Sequence, residues 1–193
     1  LSRSLGMEFA TAAFHNSYYF HKDDNVITNK EEVCGDFEKL INLQLKEKHP
    51  KSWMRAFFNM GLINYIEGSR RMLPCQAGEM NFFVEPYGDI YPCNGLEKKY
   101  WKKRMGNIRE TPNFKEIWEG EQAEQVRQMV RRCPKNCWMV GTASPVMHKY
   151  IKYPLKWALK NKLRSLQGKT ACLDKCWYNV GQDPSQGDLR EVF

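Results

Sequence analysis

The stretch CQAGEMNFFVEPYGDIYPCN, residues 75–94, begins with a cysteine and has a second cysteine next to its end. Two short apolar runs flank Pro86-Tyr87-Gly88-Asp89, which has the composition of a tight turn. Gly88 can supply the positive φ that many such turns require. The pattern predicts a β-hairpin that brings Cys93 back toward Cys75. These cysteines could form a disulfide, bind zinc or bind an iron–sulfur cluster.

The composition of the chain limits these alternatives. The chain has 193 residues, of which 42% are hydrophobic and 13% aromatic, so we expect a folded core rather than disorder. No run approaches the ~20 apolar residues that cross a bilayer, and we see no signal peptide. Seven cysteines cannot all pair with one another. We therefore expect a reducing, cytoplasmic location, where clustered cysteines favour metal binding or catalysis over a disulfide.

Patterns along the chain predict an α+β protein. MEFATAAF, residues 7–14, predicts a strand buried on both faces, as in a parallel sheet. Asn29 precedes a helical pattern that stops before Pro50, and a second helix is expected from Ser52 to Glu67.

Two further helices are expected after the hairpin. Thr111-Pro112 predicts the start of a helix that runs directly into Cys133. A last helix is expected after Pro145 and Pro154, ending at Gly168. It carries an apolar stripe next to a basic one, comprising Ile151, Leu155, Leu159 and Leu163 beside Lys152, Lys156, Lys160 and Arg164.

Four cysteines can meet at one point. The hairpin brings Cys75 and Cys93 together, and Cys133 and Cys137 lie four residues apart in CPKNC, close enough to share one side of a turn. Four thiolates suit either a zinc ion or an iron–sulfur cluster. Zinc sites usually pair their ligands in two short knuckles, and here only one such pair occurs. The spacing favours a cluster slightly, and zinc or unrelated buried cysteines remain open.

The order of motifs resembles the SPASM domain, the auxiliary-cluster domain of radical S-adenosylmethionine (SAM) enzymes. Cys75, Gly88 and Cys93 follow the C-x12-G-x4-C opening of that domain. MGNIRE, FKEIWEG and a helix into CPKNCW follow in the same order. The resemblance implies a [4Fe-4S] cluster held by Cys75, Cys93 and Cys137, with Cys133 as the fourth ligand. A single cluster is implied, as in the shortened "twitch" form, because the further C-x2-C pair of a full SPASM domain is absent from the sequence.

The sequence departs from a complete radical SAM enzyme. The C-x3-C-x2-C motif that holds the radical-generating cluster is missing, and Cys172 and Cys176 are followed by Asn179 where a third cysteine would be needed. We therefore expect the C-terminal portion of such an enzyme, in which SAM and a second [4Fe-4S] cluster bind to an absent N-terminal part. The expected divisions are the end of a partial α/β barrel at 1–70, the cluster domain at 71–141 and a basic helical extension with a polar tail at 142–193.

Several other residues are candidates for contacts with substrate, cofactor or partners. His15, Asn16 and Tyr18 follow the predicted barrel strand, at the edge where α/β barrels collect active-site groups. The resemblance implies a peptide or small-molecule substrate and allows an electron-donor protein.

The net charge is +8, and the basic last helix could contact an anionic membrane surface or simply be solvated. The basic and aromatic stretch at 98–104 is expected to be a solvated loop over the cluster domain rather than a nucleic-acid surface. The alternative to the enzyme is a zinc-stabilised basic module that binds nucleic acid or an acidic partner.

Overall fold

The fold is α+β, as expected. The computed structural model describes residues 4–7, 9–17, 20–22, 24–95 and 103–173. In this part of the chain the elements are, in order, α1 (Lys30–Lys46), α2 (Pro50–Ile66), β1 (Phe83–Val84), β2 (Asp89–Tyr91), β3 (Gly106–Asn107), α3 (Phe114–Glu119), α4 (Glu121–Arg131), α5 (Val140–Lys149) and α6 (Lys152–Leu166). None of the helices in these ranges is both long and apolar enough to cross a bilayer.

The first two helices confirm the sequence pattern. Asn29 is the N-cap residue of α1, although its side chain donates to Glu32 at 3.0 Å instead of capping the backbone. Helix α2 begins at Pro50, two residues before the expected start, because the fixed φ of proline suits the first helical position. The two helices pack against each other through Ile41, Leu45 and Phe57, which are fully buried.

The predicted hairpin is present, with shorter strands. β1 pairs antiparallel with β2, with Phe83 opposite Tyr91. Gly88 in the turn has a φ of 92°, in the left-handed region that favours glycine. The third strand, β3, pairs with the other edge of β2 and places Asn107 opposite Asp89. A two-residue strand has no periodicity of its own, so the sequence pattern could not reveal it.

The continuous helix expected from Thr111-Pro112 into Cys133 is wrong. The backbone at Gly120 is extended, with φ −71° and ψ 157°, and it separates α3 from α4. A Cβ atom at this position would lie 2.9 Å from the carbonyl oxygen of Glu116, so the bend depends on glycine. The break lets α3 and α4 pack on the same small core, which contains Ile90, Ile117 and Val126.

The buried strand expected at 7–14 is also wrong. The described residues of this segment form no strand, and Met7 and Phe14 are 63% and 71% exposed. An apolar run forms a buried strand only when a neighbouring strand supplies backbone partners and packed layers cover its faces. In the described ranges the sheet consists of β1, β2 and β3, and none of them pairs with this segment.

The last helical region has two helices instead of one. α5 runs through Pro145, and α6 starts before Pro154. The buried face of α6 consists of Pro154, Trp157, Ala158 and Asn161, packed against α1 and α2. The predicted apolar stripe of α6 faces solvent: Ile151, Leu155, Leu159 and Leu163 are 43–62% exposed.

Trp138 joins the segment after CPKNC to the helical core. Its indole is 1% exposed, makes an edge contact with Phe57 and donates from Nε1 to the carbonyl oxygen of Phe58 at 2.8 Å. It fits against α2 because residue 61 is glycine: a Cβ atom there would lie 2.1 Å from the indole ring.

Replacing Gly61 with alanine should destabilise the protein by about 3 kcal/mol, since a buried ring must move to admit the methyl group. Urea denaturation of the metal-free protein measures the change. Gly35→Ala on α1 is the matched control, because nothing lies within 4 Å of a Cβ atom there. That control should be neutral or stabilising by up to ~1 kcal/mol, from the higher helix propensity of alanine. Equal stabilities for the two variants would contradict the proposed packing.

Candidate metal centre

Three loops carry the four candidate ligands. Cys75 lies before the short turn that contains Gly78, Cys93 follows β2, and Cys133 and Cys137 lie between α4 and α5. Each loop leaves one of the two hydrophobic cores: Leu73 and Trp138 belong to the helical core, and Ile90 to the core under the sheet. The six cysteines of the described residues are free thiols, and Cys75 and Cys93 form no disulfide with each other.

Arg71 fastens two of these loops together. This arginine is 6% exposed and lies against the Trp138 ring, 5.4 Å from its centroid. Its guanidinium donates to the carbonyl oxygens of Leu73 at 2.9 Å and Thr142 at 3.1 Å, and also to that of Cys137. The rigid five-donor fork of arginine suits such divergent acceptors. The segment leading to Cys75 is therefore tied directly to the segment around Cys137.

The remaining loops are also held through backbone carbonyl groups. Lys135 donates from Nζ to the carbonyl oxygen of Gly95 at 2.8 Å, joining CPKNC to the loop after Cys93. Asn136 donates to the carbonyl oxygen of Ser69 at 2.9 Å. Arg127 of α4 donates from Nε to the carbonyl oxygen of Gly78 at 2.8 Å. These bonds position Cys93, Cys133 and Cys75 relative to each other.

The segment before α1 contacts the same loops. Ser17 donates from Oγ to the carbonyl oxygen of Asn94 at 2.6 Å. The backbone N–H of Trp138 donates to Nε2 of His15 at 3.1 Å, and the His15 ring stacks on Tyr65 with centroids 3.9 Å apart. Burial, aided by the charges of Arg71 and Lys135, lowers the pKa of His15. A neutral ring with its proton on Nδ1, facing the Ala13 carbonyl oxygen at 2.8 Å, satisfies both contacts.

The thiols themselves lie close enough to repel one another as thiolates. Burial, together with negative charge on Cys75, Cys137 and Cys133, raises the pKa of Cys93 to about 12. Burial is also the main cause that raises the pKa of Cys133 to about 11 and the pKa of Cys137 in the same direction. Lys135 and Arg71 act against this rise at Cys137. Four adjacent buried thiolates need further positive charge, which a metal centre supplies.

Four cysteine thiols are a donor set that either zinc or an iron–sulfur cluster can use. In the ranges that the structure describes, no three histidine, cysteine, aspartate or glutamate side chains converge to hold one ion. A tetrahedral zinc ion needs four sulfurs ~2.3 Å from one point. The ligands of a [4Fe-4S] cluster each bind a different iron and stand farther apart. Four half-buried cysteines on three loops fit an iron–sulfur cluster in donor type and number.

The other sequence candidates have different positions. His15 lies beside CPKNC, through its contact with Trp138. The Oδ1 atom of Asn16 accepts from the backbone of Asn25 at 3.1 Å, which is a contact within its own loop. Tyr18 lies outside the described residues, and its predicted contact stays a prediction. Cys172 is half-buried, and its backbone N–H donates to Asn161 at 2.6 Å, whereas Cys176 lies outside the described residues.

Arg71, Lys135, Asn136 and Trp138 were not predicted as positioning residues. The adjacent pair Arg70-Arg71 just before Pro74-Cys75 was the available signal for the first of them. A charged pair next to a turn usually indicates a solvated surface. In the structure only Arg71 of the pair is buried, while Arg70 is exposed. The local sequence does not show which of the two arginines is buried.

Comparison with known proteins identifies this part of the chain. Residues 75–139 match the family model of SPASM, an iron–sulfur cluster-binding domain. The match starts at Cys75 and includes all four candidate ligands and Trp138. No curated protein and no solved structure matches the chain. Residues 75–139, about a third of the sequence, are thus similar to a domain family that binds iron–sulfur clusters, and Arg71 and His15 contact this segment from outside it.

Replacing Arg71 with methionine should lower the free energy of unfolding of the metal-free protein by at least ~3 kcal/mol. Each hydrogen bond from a charged group contributes ~1.5–3 kcal/mol, and the three acceptors would be left with no donor from this side chain. Arg71→Lys should cost less, since it keeps the charge but loses the fork.

Arg70→Met is the control for the Arg71 variants, because that neighbouring arginine is exposed. Its unfolding midpoint in urea should stay within the range of ordinary surface substitutions, about ±0.5 kcal/mol. If Arg71→Met proved as harmless as Arg70→Met, the bridging role assigned to Arg71 would be wrong.

Proposed function

We propose that Cys75, Cys93, Cys133 and Cys137 are the four ligands of one [4Fe-4S] cluster. The observation that supports this most is the gathering of four free, half-buried thiols on three loops within the segment that matches the cluster-binding family. The donor number fits the usual ligand set of such a cluster. Cys172, whose backbone bonds to Asn161 and Trp157 in the helical part, is not included.

We further propose that the chain is the C-terminal portion of a radical SAM enzyme. In this proposal α1 and α2 belong to the end of a partial α/β barrel. SAM and a second [4Fe-4S] cluster bind to a part that precedes this sequence. The resemblance in motif order and the cluster-binding family support this, because such domains accompany radical SAM enzymes. The substrate in this proposal is a peptide or a small metabolite.

The role proposed for the domain is to support electron transfer or to position the substrate. A bound cluster supplies one-electron chemistry at a potential set by nearby charge, hydrogen bonds and solvent. The residues of this chain set those conditions: Arg71 and Lys135 place positive charge beside Cys137. Positive charge favours the reduced, more negative state. An electron-donor protein is a proposed partner, and the cytoplasm, a reducing compartment, is the proposed location.

The zinc-stabilised, nucleic-acid-binding module is the weaker candidate. It uses the same four thiols, so residue identity alone does not separate the two hypotheses. The family match to an iron–sulfur cluster-binding domain favours the cluster. Metal analysis separates them directly, because a zinc site contains no sulfide.

Anaerobic reconstitution of the full chain should yield about four iron and four acid-labile sulfide per protein, as a [4Fe-4S] cluster requires. Alanine substitution of Cys75, Cys93, Cys133 or Cys137, one at a time, should remove most of this content. Cys172→Ala is the matched control and should keep the wild-type content. Stoichiometric zinc without sulfide would refute the cluster, and full iron content in Cys133→Ala would exclude Cys133 as a ligand.

Removing the metal should lower the melting temperature by several degrees, because binding free energy adds to folding free energy. Anaerobic calorimetry before and after iron chelation measures the shift. The same treatment should not change the melting temperature of Cys93→Ala, which has no cluster to lose. A wild-type protein unaffected by complete iron removal would contradict the coupling of the cluster to folding.

A further inference from the structure

The outward face of α6 carries two parallel ridges of side chains. One ridge is aliphatic and comprises Ile151, Leu155, Leu159 and Leu163, which are 43%, 43%, 47% and 62% exposed. The second comprises Lys152, Lys156 and Lys160, one residue further along at each step and also exposed. A spacing of four residues aligns each ridge along the helix axis, with the two ridges side by side.

The orientation of α6 is fixed by its opposite face. Trp157 and Ala158 are buried at 2% and 1% exposure in the helical core, and Trp157 makes an edge contact with Phe57 of α2. Lys162 donates from Nζ to the carbonyl oxygens of Leu45 and Glu47 at 2.8 Å, at the C-terminal end of α1. These contacts hold the helix along its length, so the two ridges project outward together.

The charge around this face has a single sign. Between residues 141 and 170 the sequence has seven lysines and arginines and no aspartate or glutamate. Of these, Lys149 is paired with Glu79, and Lys162 is used at the end of α1. The three lysines of the outward ridge remain exposed and lie directly beside the leucines. The face is therefore both apolar and cationic, and its complement is an apolar surface with negative charge.

The residue types favour a lipid surface over a protein partner. Centres of protein interfaces are enriched in tryptophan, tyrosine and arginine and depleted in lysine. Here the tryptophan of the helix points inward, and the exposed side chains are leucine, isoleucine and lysine. At a membrane surface, aliphatic side chains enter the acyl boundary while lysine amines extend to the phosphates. A straight row of leucines flanked by lysines suits a helix that lies in the plane of that surface.

We propose that the outward face of α6 binds the surface of an anionic lipid bilayer. The leucine ridge inserts into the headgroup and acyl boundary, and the lysine ridge contacts lipid phosphates. The helix lies on the bilayer and does not cross it. This interaction does not involve the cluster. A test of membrane binding therefore does not decide whether the proposed function is correct.

Vesicle co-sedimentation of the full chain tests the proposal. The protein should sediment with vesicles of phosphatidylcholine and phosphatidylglycerol, and far less with phosphatidylcholine alone. The double variant Lys156→Gln/Lys160→Gln should bind anionic vesicles about thirtyfold more weakly, which corresponds to about 1 kcal/mol for each lysine. Leu155→Ser/Leu159→Ser should weaken binding roughly tenfold or more, since it removes apolar area from the inserted ridge. Added salt should weaken the wild-type interaction.

Two controls separate this face from general effects of charge and hydrophobicity. Lys115→Gln removes an exposed charge from α3, and Val26→Ser removes an apolar side chain that is 72% exposed outside α6. Both should bind vesicles like wild type, and all variants should keep wild-type circular dichroism and iron content. The proposal is overturned if the protein does not bind anionic vesicles at low salt. It is also overturned if the α6 variants and the controls bind those vesicles with equal affinity. Concentration-dependent self-association that the leucine variant abolishes, without vesicle binding, would assign the face to a second copy of the chain instead.

Discussion

The contact between the Trp138 indole and the bare backbone of Gly61 determines where the cysteine loops can lie. Trp138 directly follows Cys137, so burying its ring in the helical core places CPKNC against α2. The Arg71 guanidinium lies on the same ring and donates to the carbonyl oxygen of Leu73, two residues before Cys75. A large aromatic side chain contributes most of its stabilisation through buried area. The helical core thus supplies the rigidity that short loops and two-residue strands lack.

The site combines half-buried thiols with the positive charges of Arg71, which is buried, and Lys135, which is half-buried. Desolvation and mutual repulsion both disfavour thiolates, as the raised pKa values of Cys93 and Cys133 indicate. Arg71 and Lys135 offset part of this cost near Cys137 without neutralising the whole set. The metal-free protein is therefore stable with protonated thiols, and the thiolate form depends on a bound cationic centre. In the proposed site, folding of the loops and binding of a cluster would be coupled by charge as well as by ligation.

The sequence predicted features that depend on neighbouring residues. The turn at Gly88 and the start of α1 at Asn29 rest on local backbone preferences, and the four cysteines were recognised by their order and spacing. Features that depend on distant partners were missed. The segment 7–14 has the composition of a strand but no strand beside it in the described ranges, and burial of Arg71 depends on carbonyl groups up to 71 residues away. The exposed leucines of α6 belong to the same class, because periodicity shows that an apolar face exists but not which face the core selects.

Several bonds that hold the loops around the candidate ligands are accepted by backbone oxygens. Ser17, Lys135, Asn136 and Arg127 all donate to carbonyl groups of the residues they position. A carbonyl oxygen is present whatever side chain its residue carries, so a substitution at an accepting position such as Asn94 or Ser69 leaves the acceptor in place. The donors cannot be exchanged in this way, and two of them, Lys135 and Asn136, lie within CPKNC itself. The accepting positions can therefore vary without loss of these bonds, whereas substitution of Lys135 or Asn136 removes them.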